Sequence, residues 1–102
     1  MRQLHIQIQL ARSLQLHVDE ALARLSHLTE GACVTKEKNG RCINIDYKTR
    51  ELLKLWELVK DELRFVSGLA ESTIVVCEGQ HGWDDYLLLH HFDPTQPLDL
   101  VK

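Results

Sequence analysis

Residues 49–68, TRELLKLWELVKDELRFVSG, limit what this chain can fold into more than any other stretch. At about 100° per residue, Leu52, Leu55, Trp56, Val59, Leu63 and Val66 gather within roughly a third of a helix circumference. Arg50, Lys54, Glu57, Asp61 and Arg64 take the far side. Thr49, or Asp46 a turn earlier, can accept from the free amides at the start, and Glu51 suits the positive end of the dipole. Gly68 offers the left-handed residue that commonly stops a helix. Glu57–Asp61 and Lys60–Arg64 are like-charged pairs at i, i+4, costing about 0.2–0.5 kcal/mol each. Each buried apolar side chain contributes roughly 1.5–3 kcal/mol, so packing decides. Leu58 and Phe65 lie off the stripe, nearly in line on the polar side. Either a loop or the C-terminal tail covers them, or they form a surface for self-association or for a partner.

At 102 residues the chain is expected to form a single globular domain, residues 1–102, able to bury about 60–65% of its unfolded surface without staples. With 44% hydrophobic and 26% charged residues it has the make-up of an ordinary globular protein. A net charge of −3 argues against nonspecific nucleic-acid binding, which needs a basic face to displace counterions. The basic cluster Lys36, Lys38 and Arg41 falls at a turn and is interrupted by Glu37. No apolar run approaches the roughly 18–20 residues of a membrane span, and the start, MRQLHIQIQL, alternates instead of forming a signal peptide's apolar block. Cys33, Cys42 and Cys77 are odd in number and lack C-x-x-C spacing, which fits reduced thiols better than a disulfide framework, and a bacterial-type protein that stays in the cytoplasm is the expectation.

Leu4, Ile6, Ile8 and Leu10 alternate with His5, Gln7 and Gln9, which predicts a half-buried strand over 3–10. Leu14, Val18, Ala21, Leu25 and Leu28 then follow helical spacing, with Ser13 as a cap and Gly31 as a stop. Nothing in residues 10–13 forces a turn, so one long helix over residues 2–29 is the rival. Residues 33–38 and 41–47 flank Asn39-Gly40, a pair suited to a two-residue type I′ turn with positive φ at both positions. That turn sets Lys38 against Arg41, Lys36 against Ile43, Val34 against Ile45 and Cys33 against Asp46. Ala32, Val34, Ile43, Ile45 and Tyr47 then share one face, which supports the register. Residues 73–78 (TIVVCE) are predicted as a central strand, 79–85 (GQHGWDD) as a loop and 86–92 as the return strand. The tail, 92–102, is expected to be extended, with Leu98, Leu100 and Val101 docked on this chain or a neighbour.

Together these segments predict an α+β two-layer sandwich: a mainly antiparallel sheet of four or five strands with two helices on one face. The order β-α-β-β-α-β-β resembles ferredoxin-like topology with an added edge strand; the long-helix rival gives α-β-β-α-β-β. The other sheet face would carry Thr35, Cys42, Asn44, His5, Gln7 and Gln9, either solvated or paired with a second copy.

The loop at 79–85 is the best place for a ligand. His81 stands between glycines, and Trp83 adjoins Asp84 and Asp85, so His81, Trp83, Asp84 and Asp85 are ligand-binding candidates and His81 is a weak candidate for a general base. The plainer reading is a turn whose Trp83 folds onto the core. Asp84 and Asp85, being adjacent, point opposite ways in extended backbone and make a poor acid/base pair. His90, His91 and Asp93 do not supply the three or four converging ligands of a metal site, so no metal or cofactor is expected. A cysteine nucleophile needs a base and a positive setting, whereas Cys33 and Cys42 face Asp46 and Glu37. The leading expectation is a non-enzymatic interaction or regulatory module that self-associates as a dimer, with Leu58, Phe65, Leu98 and Leu100 as interface candidates. The alternative is a small-molecule-binding protein or minor enzyme with its site at residues 79–85.

Overall fold

A computed structural model describes residues 1–101. The chain runs β1 (Arg2–Gln9), α1 (Val18–Ser26), β2 (Cys33–Lys36), β3 (Cys42–Thr49), α2 (Leu52–Phe65), a 3-10 turn (Ala70–Ser72), β4 (Thr73–Gly79) and β5 (Gly82–His90). The strands form one five-stranded sheet in the order β2-β3-β1-β4-β5, and every neighbouring pair is antiparallel. This is an α+β architecture. Residues 2–9 form a strand, so the single long helix over 2–29 does not occur.

Alternation builds the core. Leu4, Ile6 and Ile8 of β1 pair with Tyr47, Ile45 and Ile43 of β3 and with Cys77, Val75 and Thr73 of β4, and this whole face is buried. The helices cover it: Leu52, Leu55, Trp56, Val59, Leu63 and Val66 are all buried, as are Ala21 and Leu25 of α1. Arg24 on α1 is hydrogen-bonded to Glu62 on α2, with its second contact at 3.2 Å, which ties the helices together.

Three local expectations need correction. First, α1 begins at Val18, not at residue 14, and Leu14 is fully exposed. The Ser13 hydroxyl accepts from the Gln15 amide (3.2 Å), a turn in place of a helix cap. That turn abuts Gly68: a Cβ there would lie 2.7 Å from Ser13 Oγ and 2.9 Å from the Leu16 nitrogen. Gly68 (φ +81°) therefore serves a close approach after α2, which has already ended at Phe65.

Second, the β2–β3 register is the predicted one, from Cys33–Asp46 to Lys36–Ile43, but the turn is not type I′. The Gly40 amide donates to the Glu37 carbonyl (2.9 Å), so Lys38 and Asn39 are the central pair. Only Gly40 has positive φ (+69°), and the Asn39 side chain instead accepts from the Arg41 amide (2.9 Å).

Third, residues 82–85 belong to β5, so the expected seven-residue loop shrinks to a turn at Gln80-His81. Val76 pairs with Leu88 as continuous pairing of residues 73–78 with 86–92 requires, but a register slip sets Val75 against His90, where that pairing would set Ile74, and a second slip lies between Cys77 and Gly79. A one-residue bulge at Leu89 explains the first slip.

Beyond β5 the chain turns at residues 92–96 and runs extended along the sheet edge. The Asp99 amide donates to the Leu88 carbonyl (2.7 Å), and the Asp99 carboxylate accepts from the Leu88 amide (2.8 Å). Two groups on the β5 edge are satisfied by this clasp, while β2 at the other edge is exposed along its length.

Candidate functional site

Cross-strand pairing fixes what the uncovered face of the sheet presents. The row Cys33–Asp46–His5–Val76–Leu88 crosses all five strands, and Thr35–Asn44–Gln7–Ile74 forms the next row. Residues directly opposite share a face, so these side chains stand together on the side away from the helices. His5, Gln7, Asn44, Asp46, Ile74, Val76 and Leu88 are all only partly buried there. His5 Nδ1 donates to Asp46 Oδ1 (2.7 Å), which directs the imidazole Nε2 away from the carboxylate. The face is thus polar over β2, β3 and β1, while β4 and β5 place the apolar Ile74, Val76 and Leu88 on it beside Glu78. Sequence reasoning reached half of this: alternation put His5 and Gln7 on the open face, and the hairpin register added Asn44 and Asp46. The apolar half depends on β4 lying beside β1, a pairing that no local signal carries.

The β4–β5 hairpin tip brings His81 and Asp85 together. Asp85 Oδ1 accepts from the His81 amide (2.9 Å), and its Oδ2 lies 3.1 Å from His81 Nδ1. The His81 backbone N–H above all, then its imidazole, holds the Asp85 carboxyl below its ordinary pKa. Gly79 is needed beneath this clamp, since a Cβ there would meet the Asp85 carbonyl oxygen at 2.1 Å. Trp83 and Asp84 are exposed, and Trp83 does not fold into the core. The arrangement fastens a turn. His81, Trp83, Asp84 and Asp85 do not line the hollows that follow α2.

His90 and His91 diverge. His90 Nε2 donates to the Ala70 carbonyl (2.9 Å), and His91 Nδ1 accepts from the Asp93 amide (3.0 Å). Asp93 is itself occupied by the amide and hydroxyl of Thr95, which lower its pKa. Among the described residues no three His, Cys, Asp or Glu side chains converge on a point where a metal ion could sit. Cys77 is buried under the helices, and that burial raises its thiol pKa.

Of the interface candidates, Leu58 and Phe65 lie along α2 on the side that meets α1, and Leu98 and Leu100 lie in the tail. Phe65 is 70% exposed, and the Arg24 guanidinium stacks 4.5 Å from its ring centre. Leu58 (39% exposed) lines a small hollow with Leu28, Thr29 and Lys54. Neither loop nor tail covers Phe65. In the tail, Leu98 rests at the edge of two hollows, Val101 packs on the core, and Leu100 stays 80% exposed.

A run of hollows follows α2. One of about 680 Å³ lies at its start beside Arg2, Leu53 and Val101. Two more, of about 330 and 510 Å³, meet at Ala70, His90 and Leu98.

No protein-family model matches the chain, and no curated protein or solved structure matches it either. Among the described residues, no helix is long and apolar enough to cross a membrane.

Proposed function

We propose that this protein is a small cytosolic, non-enzymatic interaction module that self-associates, most simply as a dimer, through the open face of its sheet. The observation that carries the reading is the patch formed by Ile74, Val76 and Leu88. A solvated sheet face is ordinarily polar throughout, and β4 instead has apolar side chains on both sides. Tyr86, two residues before Leu88 in β5, adds an exposed aromatic ring. Five strands at about 4.8 Å spacing and about 3.3 Å per residue make a face of roughly 600 Å² before side-chain relief. A standard interface buries about 800 Å² per partner, so this face would supply most of one. The polar half, with His5–Asp46 and the amides of Gln7 and Asn44, would supply the hydrogen-bonding rim.

The connectivity supports a ferredoxin-like reading extended by β5. In that reading β1 and β2 run parallel on either side of β3, and β3 and β4 run parallel on either side of β1. The cytosolic assignment is supported by Cys33, Cys42 and Cys77 all being free thiols.

A dilution series of the methyl-labelled protein tests the reading. Self-association through this face moves the Ile74, Val76 and Leu88 methyl signals with concentration and leaves those of α2 in place. Methyl signals unchanged across the series would overturn it.

A further inference from the structure

The 330 Å³ hollow beside the second half of α2 has a chemical character of its own. Its floor is apolar: Trp56 and Leu63 from α2 and Leu89 from β5, each nearly fully buried. Its walls are Ala70, the His90 imidazole and Leu98 of the tail. His90 is held rigid by its bond to the Ala70 carbonyl (2.9 Å). Along the rim stand two cations, Lys60 and Arg64, and no carboxylate lines the hollow. Lys60 Nζ lies 5.7 Å from the centre of the Trp56 ring and 3.0 Å from Glu57, while Arg64 forms no ion pair among the described residues.

We propose that this hollow binds a small amphipathic anion, a carboxylate carried on a short apolar body. Lys60 and Arg64 are one helical turn apart on the same face, where like charges repel. An anion between them relieves that repulsion and accepts charge-assisted hydrogen bonds from both. The apolar body lies over the edges of Trp56, Leu63 and Leu89 that the chain leaves open and replaces water along the half-exposed Leu98. The volume falls at the small end of the roughly 300–1,000 Å³ common to ligand sites, which limits the ligand to a single short chain or one ring. The hollow lies on the helical layer, away from the open sheet face, so its occupancy and the self-association proposed above succeed or fail separately.

Titrating the ¹⁵N-labelled full chain with octanoate, with 3-phenylpropionate and with the uncharged octan-1-ol tests this. The predicted result is a saturable shift of the Trp56 indole N–H and Arg64 Nε–H with at least one carboxylate. The Trp83 indole, at the hairpin tip, stays fixed as an internal control. Arg64→Gln weakens carboxylate binding about tenfold, and Lys60→Gln with it weakens binding further, while octan-1-ol binding is unchanged by either. Arg64 is exposed and Lys60 partly so, and the dispersion of the amide spectrum reports that each variant is folded. The proposal is overturned if neither carboxylate gives a saturable shift at millimolar concentration. It is also overturned if octan-1-ol binds as well as octanoate, if Trp83 responds in place of Trp56, or if the variants bind octanoate as the native chain does.

Discussion

Tyr47 Oη donates a 2.6 Å hydrogen bond to the Leu25 carbonyl, joining the middle strand pair to the last turn of α1 inside the core. The ring is fully buried, and the same carbonyl also accepts from the backbone N–H of His27. Tyr47→Phe removes one donor without stranding the acceptor. A loss of about 0.5–1.5 kcal/mol is expected, read as a lower urea midpoint at unchanged slope.

The same burial pushes the Tyr47 phenol far above its ordinary pKa, and that of the Cys77 thiol rises too. A group whose proton is held more tightly in the folded state stabilises fully below its unfolded pKa. That contribution fades as pH climbs toward the folded value. Stability should therefore begin to fall near pH 8.5–9, where unfolded Cys77 ionises, and steepen above about 10 as unfolded Tyr47 joins, by up to about 1.4 kcal/mol per pH unit for each group. Urea midpoints measured from pH 8 to 11 check this, and Tyr47→Phe should lose the steeper, upper part of the decline.

Gly68 and Gly40 share positive φ but differ in surroundings. A Cβ on Gly68 meets Ser13 Oγ and the Leu16 nitrogen within 3.0 Å, whereas one on Gly40 meets nothing within 4 Å. Gly40→Ala should cost only the left-handed penalty of about 1–2 kcal/mol. Gly68→Ala adds backbone displacement and should cost at least about 2 kcal/mol more, in the range of overpacked cores. Equal thermal shifts for the two would show that residues 13–16 yield freely.

Asp85 clamps the hairpin through His81, with its pKa held down. A depressed carboxylate stabilises above its unfolded pKa of about 3.9 and loses that contribution as pH falls through the folded value. The site is solvent-exposed, so the effect is local. A carboxyl titration by NMR should place Asp85 below the ordinary aspartate value of about 3.9. Asp85→Asn should speed amide exchange at His81 while leaving Val75 in β4 protected.

How far these features were legible from residues alone follows from the range of the forces involved. The α2 stripe, the alternation of β1 and the β2–β3 register are set by neighbours a few positions apart, and they stand as read, apart from frayed ends. The start of α1 was missed because Ser13 and Gly68, far apart in sequence, press together and leave Leu14 outside. Residues 79–85 looked like a loop because of their glycines, yet Gly79 is there for the close approach of Asp85. The hollow beside Trp56 was hidden because the indole reads as core from α2 alone. Leu89, His90 and Leu98 reach it only through the β5 bulge and the course of the tail.

Sedimentation equilibrium on the native chain, Val76→Glu and Phe65→Asp, run side by side, tests the central claim most directly. The open sheet face as the contact predicts a dimer for the native chain and for Phe65→Asp. It predicts a folded monomer for Val76→Glu, with association weakened at least about 30-fold, as for loss of an interface hot spot. A native chain that stays monomeric at every concentration, or a Val76→Glu protein that still dimerises while Phe65→Asp does not, would contradict it.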